Sequence, residues 1–166
     1  LGGGTGWGLT GNTGTNPSTH FLGTTDNQAL SIRTNNVERM RITTLGQWVP
    51  MNTGGSVLIG ENAYAAGAGA PGATDRNVFV GFHAGLNSSG TTENTAVGGL
   101  AAKDMTSGSG NTAFGHDALR NTTTGSNNTA IGAGSGTGPG FGYSNYTAVG
   151  YGAYAVADGT AVGALA

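Results

Sequence analysis

Between residues 56 and 166 the apolar and polar positions alternate over runs of only three or four residues, and a glycine closes each run. Aligned on that glycine, the runs are Val57-Leu-Ile-Gly60, Val78-Phe-Val-Gly81, Thr95-Ala-Val-Gly98, Thr112-Ala-Phe-Gly115, Thr129-Ala-Ile-Gly132, Thr147-Ala-Val-Gly150 and Thr160-Ala-Val-Gly163. Successive glycines lie 21, 17, 17, 17, 18 and 13 residues apart. Three residues after each comes a small residue: Ala63, Ala84, Ala101, Ala118, Ser135, Ala153 or Ala166. Asn77, Asn94, Asn111 and Asn128 open four of the copies. Such runs are too short for helical burial and are built from strand formers, so each predicts a short β-strand. The intervening Ser-Gly, Thr-Gly and Asp-Gly pairs carry turn chemistry that brings the chain back. A fixed internal period of this kind predicts an all-β solenoid, in which one coil cannot bury its apolar face alone but stacked coils can. At about 4.8 Å per coil, seven coils make a rod about 35 Å long.

Alternation assigns the faces. Thr112 and Phe114 share one side of a strand, Ala113 and Gly115 the other. Placing the larger apolar residues inside makes Ile59, Val80, Val97, Phe114, Ile131, Val149 and Val162 one continuous inner ridge. The threonine column (Thr95, Thr112, Thr129, Thr147, Thr160) shares that face. It is therefore expected inside as well, which argues against a Thr array for ice. The alanine face is then left to pack against identical chains about a threefold axis. Gly60, Gly81, Gly98, Gly115, Gly132, Gly150 and Gly163 are the structural glycines, needed for positive φ or for close approach of a second backbone. The Asn column suits a side-chain amide ladder at one corner.

The first 55 residues lack this period and form a separate module (1–55 against 56–166). Residues 1–16 are rich in Gly, Thr and Asn, and after Leu1 their only large apolar residues are Trp7 and Leu9. A hairpin follows: Ala29–Thr34, a turn at Asn35-Asn36, and Val37–Thr43, with Leu30, Ile32, Met40 and Ile42 alternating with polar neighbours. This module is placed to cap the first coil and hide its open edge. Arg33, Arg39 and Arg41 lie in the hairpin and have two readings: an anion site, or ion pairs to Asp26 and Glu38.

Composition narrows the chemistry. The chain has 166 residues, 34 of them Gly, with 8% charged residues and net charge -2. That balance argues against nucleic acid or an acidic membrane as partner. There is no Cys, hence no disulfide framework or thiolate metal site, and no apolar run long enough for membrane insertion. No Walker-type loop, dinucleotide fingerprint or nucleophile elbow occurs. His20, His83 and His116 are scattered, the last two projecting to different sides, and the acids fall in different registers of the repeat. No catalytic residue, metal ligand or cofactor is assigned. Binding is expected instead in turns that interrupt the repeat: the insertion at 67–76 and loops carrying Asn87, Lys103, Arg120, Phe141 and Tyr143. Exposed aromatics on polar loops suit sugars through their ring faces. The other reading packs Phe141, Tyr143, Tyr146, Tyr151 and Tyr154 between chains or coils.

The stretch Tyr146-Thr-Ala-Val-Gly-Tyr-Gly-Ala-Tyr-Ala-Val-Ala-Asp-Gly-Thr-Ala-Val-Gly163 resembles the head repeat of trimeric autotransporter adhesins (YadA-like heads). The 17-residue coils are longer than that family's unit, and similar lengthened units occur in phage tail-fibre-like proteins. The run from Phe21 to Ile42 is similar to a module of large phage and bacterial fibre proteins. The resemblance implies a left-handed parallel β-roll, a homotrimer, and attachment to a cell-surface glycan or protein receptor. It places the chain in the extracellular space, on a cell surface or on a virion. The expected function is a non-enzymatic trimeric fibre or adhesin segment. The alternatives are a purely structural shaft with its receptor-binding tip elsewhere and, more remotely, a glycan-cleaving spike.

Overall fold

The computed structural model describes residues 6, 8, 10–51, 55–64, 75–136, 138 and 142–165. The described residues contain β-strands and turns and no helix. The chain divides into two compact units, Leu1–Val49 and Pro50–Ala166.

The first unit carries a three-stranded antiparallel sheet of β1 (Leu30–Thr34), β2 (Val37–Ile42) and β3 (Trp48–Pro50), in that order. The expected hairpin is present: Leu30 pairs with Ile42 and Ile32 with Met40. Asn35 and Asn36 take φ of 50° and 57°, the left-handed pair that a two-residue hairpin turn requires and that Asn tolerates best among non-glycine residues. Strand β3 was not legible in the sequence, because two strand formers followed by proline make too short a signal. It is joined to β2 by a tight turn in which Thr43 N–H donates to the Gln47 carbonyl (3.0 Å) and Gly46 N–H to the Thr43 carbonyl (2.9 Å). Of the two readings of the arginines, ion pairing holds for Arg41. It forks onto Glu38 through Nε (2.8 Å) and Nη2 (2.6 Å). Arg39 donates instead to Thr34 Oγ1 and Arg33 to Ser31 Oγ.

The second unit is a parallel β-solenoid. Its strands are β4 (Val57–Ile59), β5 (Val78–Val80), β6 (Thr95–Val97), β7 (Thr112–Phe114), β8 (Thr129–Ile131), β9 (Thr147–Val149) and β10 (Thr160–Val162). They stack in chain order as one seven-stranded parallel sheet. The register is that of the repeat: Thr95, Thr112 and Thr129 lie in one file, Ala96, Ala113 and Ala130 in the next, and Val97, Phe114 and Ile131 in the third.

The faces are reversed from the expectation. The central residues of the strands, Phe79, Ala96, Ala113, Ala130 and Ala148, are wholly buried. Ile59, Phe114, Ile131 and Val162 are 59%, 56%, 42% and 70% exposed, and Val80, Val97 and Val149 are half-buried. The supposed inner ridge is therefore an outer file, and the threonine column lies outside beside it. The physical reason is width. A coil this thin has no room for a second layer of large side chains, so its interior accepts alanine from the strand and alanine or serine (Ala84, Ala101, Ala118, Ser135, Ala153) from the opposite wall. Larger side chains enter where a neighbouring position is small. Phe79 lies over Gly85, where an added Cβ would sit 2.6 Å from the ring. Met105 and Leu119 are wholly buried, and Leu119 and Tyr146 both reach over Gly136.

What such a core lacks in apolar volume it recovers in hydrogen bonds. The Asn column forms the expected ladder, fully inside. Asn94 N–H donates to Asn77 Oδ1 (2.9 Å), Asn111 N–H to Asn94 Oδ1 (2.9 Å) and Asn128 N–H to Asn111 Oδ1 (3.0 Å). Each Nδ2 also donates across its own coil: Asn77 to the Thr91 carbonyl, Asn94 to Gly108, Asn111 to Gly125 and Asn128 to Tyr143, at 2.8–3.0 Å. Ser56 Oγ begins the ladder under Asn77 N–H, and Tyr146 N–H ends it on Asn128 Oδ1.

Corners repeat as strictly as strands. Two residues past each anchoring glycine the backbone is left-handed, with φ between 54° and 67° at Asn62, His83, Leu100, Asp117, Gly134, Gly152 and Leu165. Leucine in that region costs roughly 1–2 kcal/mol. It is held there because its N–H is committed to the adjacent coil, as in Leu100 N–H to the Phe82 carbonyl at 2.8 Å.

Tyr146 is 2% exposed, and its hydroxyl donates to the Gly136 carbonyl at 3.1 Å. Burial raises its pKa above the ordinary 10.0, and burial together with the hydrogen bond to Asp75 does the same for Tyr64. A phenol whose folded pKa is raised favours the folded state fully below the unfolded pKa and loses that contribution as pH climbs towards the folded one. Stability is therefore expected to fall above about pH 10. Tyr146→Phe, costing about 1 kcal/mol at neutral pH, is expected to soften that alkaline decline. Urea midpoints between pH 7 and 11 measure both effects.

Candidate functional site

Two surfaces of the solenoid present organised side chains. The first is the outer strand face. Its two files are Val57, Val78, Thr95, Thr112, Thr129, Thr147, Thr160 and Ile59, Val80, Val97, Phe114, Ile131, Val149, Val162, in register throughout. None of these fourteen positions is charged. Phe82 and Tyr151, each the first residue after an anchoring glycine, extend the apolar surface and are 51% and 66% exposed. The Phe82 ring stacks on His83 with centroids 3.7 Å apart.

The second surface is a polar edge, where three of the five expected ligand-facing residues meet. Asn87, Asp104 and Asn121 each stand six residues after an anchoring glycine, and Lys103 and Arg120 each stand five after. Parallel stacking brings equivalent positions of successive coils together. Asn87 N–H donates to the Lys103 carbonyl and Asp104 N–H to the Arg120 carbonyl, both at 2.9 Å. Asn87 Nδ2 and Lys103 Nζ each donate to Asp104 Oδ1 at 3.0 Å. One coil further, Arg120 Nη1 reaches Asp117 Oδ1 (3.1 Å) while His116 Nδ1 lies 3.0 Å from Asp117 Oδ2. Asp117 lies outside the loops expected to bind, whereas Asp104 and Asn121 lie within them without being singled out. Their signal was available in the shared offset from the glycine, which matters only once stacking is known to convert offset into proximity.

The remaining expectations separate. Tyr143 is exposed on another part of the coil, where its carbonyl accepts from Asn128 Nδ2. Phe141 lies outside the described residues, as does most of the 67–76 insertion. Of the tyrosines, Tyr146 packs inside its own solenoid, whereas Tyr151 stands on the surface. The histidines do not converge: His20 Nδ1 accepts from Asn16 N–H, His83 faces Asn62 and His116 faces Asp117. Among the described residues no group of three or more His, Cys, Asp or Glu is placed to hold a metal ion. No helix there is long and apolar enough to cross a membrane. The four Asn-x-Ser/Thr sites divide by exposure, Asn87 and Asn121 half-buried and Asn127 and Asn145 exposed.

Comparison with protein-family models, with curated proteins and with solved structures gives no match.

Proposed function

We propose that the chain is a segment of a non-enzymatic, homotrimeric fibre that serves surface attachment outside the cell or on a virion, its solenoid wound left-handed. The observation that carries this reading is the uncharged outer strand face. It runs in register through seven strands and is apolar along one file, and an apolar strip of this continuity marks an interaction surface. A second copy of the chain is the occupant it suits. The strip carries no charge that calls for a complementary partner, and a file of Val, Ile, Phe and Thr repeating at coil spacing interdigitates with its own kind. The resemblance to YadA-like heads supports a cyclic threefold arrangement, in which the same face of each chain points to a common axis.

Native mass spectrometry of the full chain tests this. A trimer is expected. Phe114→Glu combined with Ile131→Glu is expected to give monomers with an unchanged β-rich circular dichroism spectrum, because charges gathered at the axis would be desolvated and unpaired. A monomeric wild-type chain, or a double variant that still forms trimers, overturns the assignment.

A further inference from the structure

We infer that the polar edge of the solenoid binds a neutral, linear oligosaccharide laid along the fibre axis. The inference rests on the attachment reading and names its ligand class. The charges on this edge cancel locally: Lys103 is paired with Asp104 at 3.0 Å and Arg120 with Asp117 at 3.1 Å. A polyanion therefore meets no net positive field. What the edge offers is a mixed set of fixed donors and acceptors, namely the ammonium, the guanidinium, the amides of Asn87 and Asn121 and two carboxylates. Vicinal hydroxyls, each both donor and acceptor, match such a set better than any group of single character.

Spacing makes the set suit a polymer. The amide–carboxylate–amide file of Asn87, Asp104 and Asn121 advances one coil at a time, about 4.8 Å per step, close to the length of one sugar ring. Beside this file lies a cleft of about 240 Å³ lined by Asp117, Arg120, Asn121 and Gly134. Its origin is legible in the repeat. The left-handed corner that carries His83, Leu100 and Asp117 in successive coils carries Gly134 in the next. The missing side chain leaves a notch above the Asp117–Arg120 pair. The volume is below the usual size of a drug-like pocket and suits a single ring, with neighbouring sugars continuing along the file. Asp104 and Arg120 stand seven and six residues after Val97 and Phe114 in 17-residue coils. They are therefore nearly half a coil away from the strand face, and chain assembly through that face leaves the edge open.

The test is calorimetric titration of the full-length chain with neutral β-linked gluco- and manno-oligosaccharides of two to six sugars, with oligogalacturonate as the anionic comparator. The wild type is expected to bind a neutral series with affinity that rises with length. Asp117→Asn, which keeps a residue tolerant of the left-handed corner, and Arg120→Gln are each expected to weaken it about tenfold, with native mass and melting temperature unchanged. Absence of binding to every neutral oligosaccharide, tighter binding of the anionic series, or wild-type affinity in both variants overturns the inference. A trimer that binds no sugar overturns it while leaving the fibre reading intact. A monomer that binds sugar through these residues does the reverse.

Discussion

Asn111→Ala is expected to destabilise the solenoid by about 3–5 kcal/mol, the sum of the buried groups it orphans. Its Oδ1 accepts the Asn128 N–H, and its Nδ2 donates both to Asn94 Oδ1 (3.0 Å) and to the Gly125 carbonyl (2.9 Å). All these partners are buried from water. Alanine leaves one backbone N–H and one backbone carbonyl without a partner in a space too tight for a well-bonded replacement water. Because each coil's stability depends on its neighbours, the loss is expected to appear as a cooperative fall in the urea midpoint. Asn127 supplies the control one residue from the ladder. It is exposed and left-handed at φ 58°, and its side-chain amide donates to Asn145 Oδ1 at 3.4 Å while its backbone N–H, which glycine keeps, donates to the Ser109 carbonyl. Asn127→Gly is expected to change stability by less than about 0.5 kcal/mol. Equal effects from the two substitutions would remove the ladder from its place as the main internal support.

Gly98→Ala is expected to cost more than about 4 kcal/mol and to lower the melting temperature by about 10 °C or more. Two independent obstacles coincide there. The backbone has φ 137°, in a region essentially reserved for glycine. An added Cβ would also lie 2.5 Å from the Gly115 carbonyl oxygen and 2.6 Å from its carbon. The adjacent coil has no freedom to retreat, since Gly98 N–H donates to the Val80 carbonyl and Gly115 N–H to the Val97 carbonyl at 2.8 and 2.9 Å. The clash must open the parallel ladder, and limited proteolysis is expected to cut the variant between the coils of β6 and β7. Gly90→Ala is the contrast. It has φ 69° with nothing within 4 Å of the added Cβ, so only the backbone term of roughly 1–2 kcal/mol applies. Similar melting temperatures for the two variants would show that the stacked glycine carbonyls are not in close contact.

Both predictions concern features the sequence displays openly, and the reason is the same. Glycine and asparagine recur at fixed offsets because a backbone contact and an amide bond each tolerate one residue type, so the repeat reports them directly. The hairpin was legible for a similar cause: paired left-handed turn residues at Asn35 and Asn36 between alternating strands. The outer strand face and the polar edge are less local. Lys103, Arg120 and Asn87 stand out individually, but their meeting at Asp104 depends on one coil resting on another.

Taken alone, the sequence determined the period, the strand in each coil, the glycine that ends it and the amide column that opens it. All are local or repeat-borne, and each is specified by what a single backbone position allows. Only the tertiary structure decided which face of the strand is the inside. Alternation of period two sorts residues into two sets without saying which set is buried, and the usual preference for burying the larger apolar set gives the wrong answer here. A coil of 17 residues closes around a space about one alanine deep from each wall. The small set fills it, and Val, Ile and Phe are turned outward as an uncharged file along the rod.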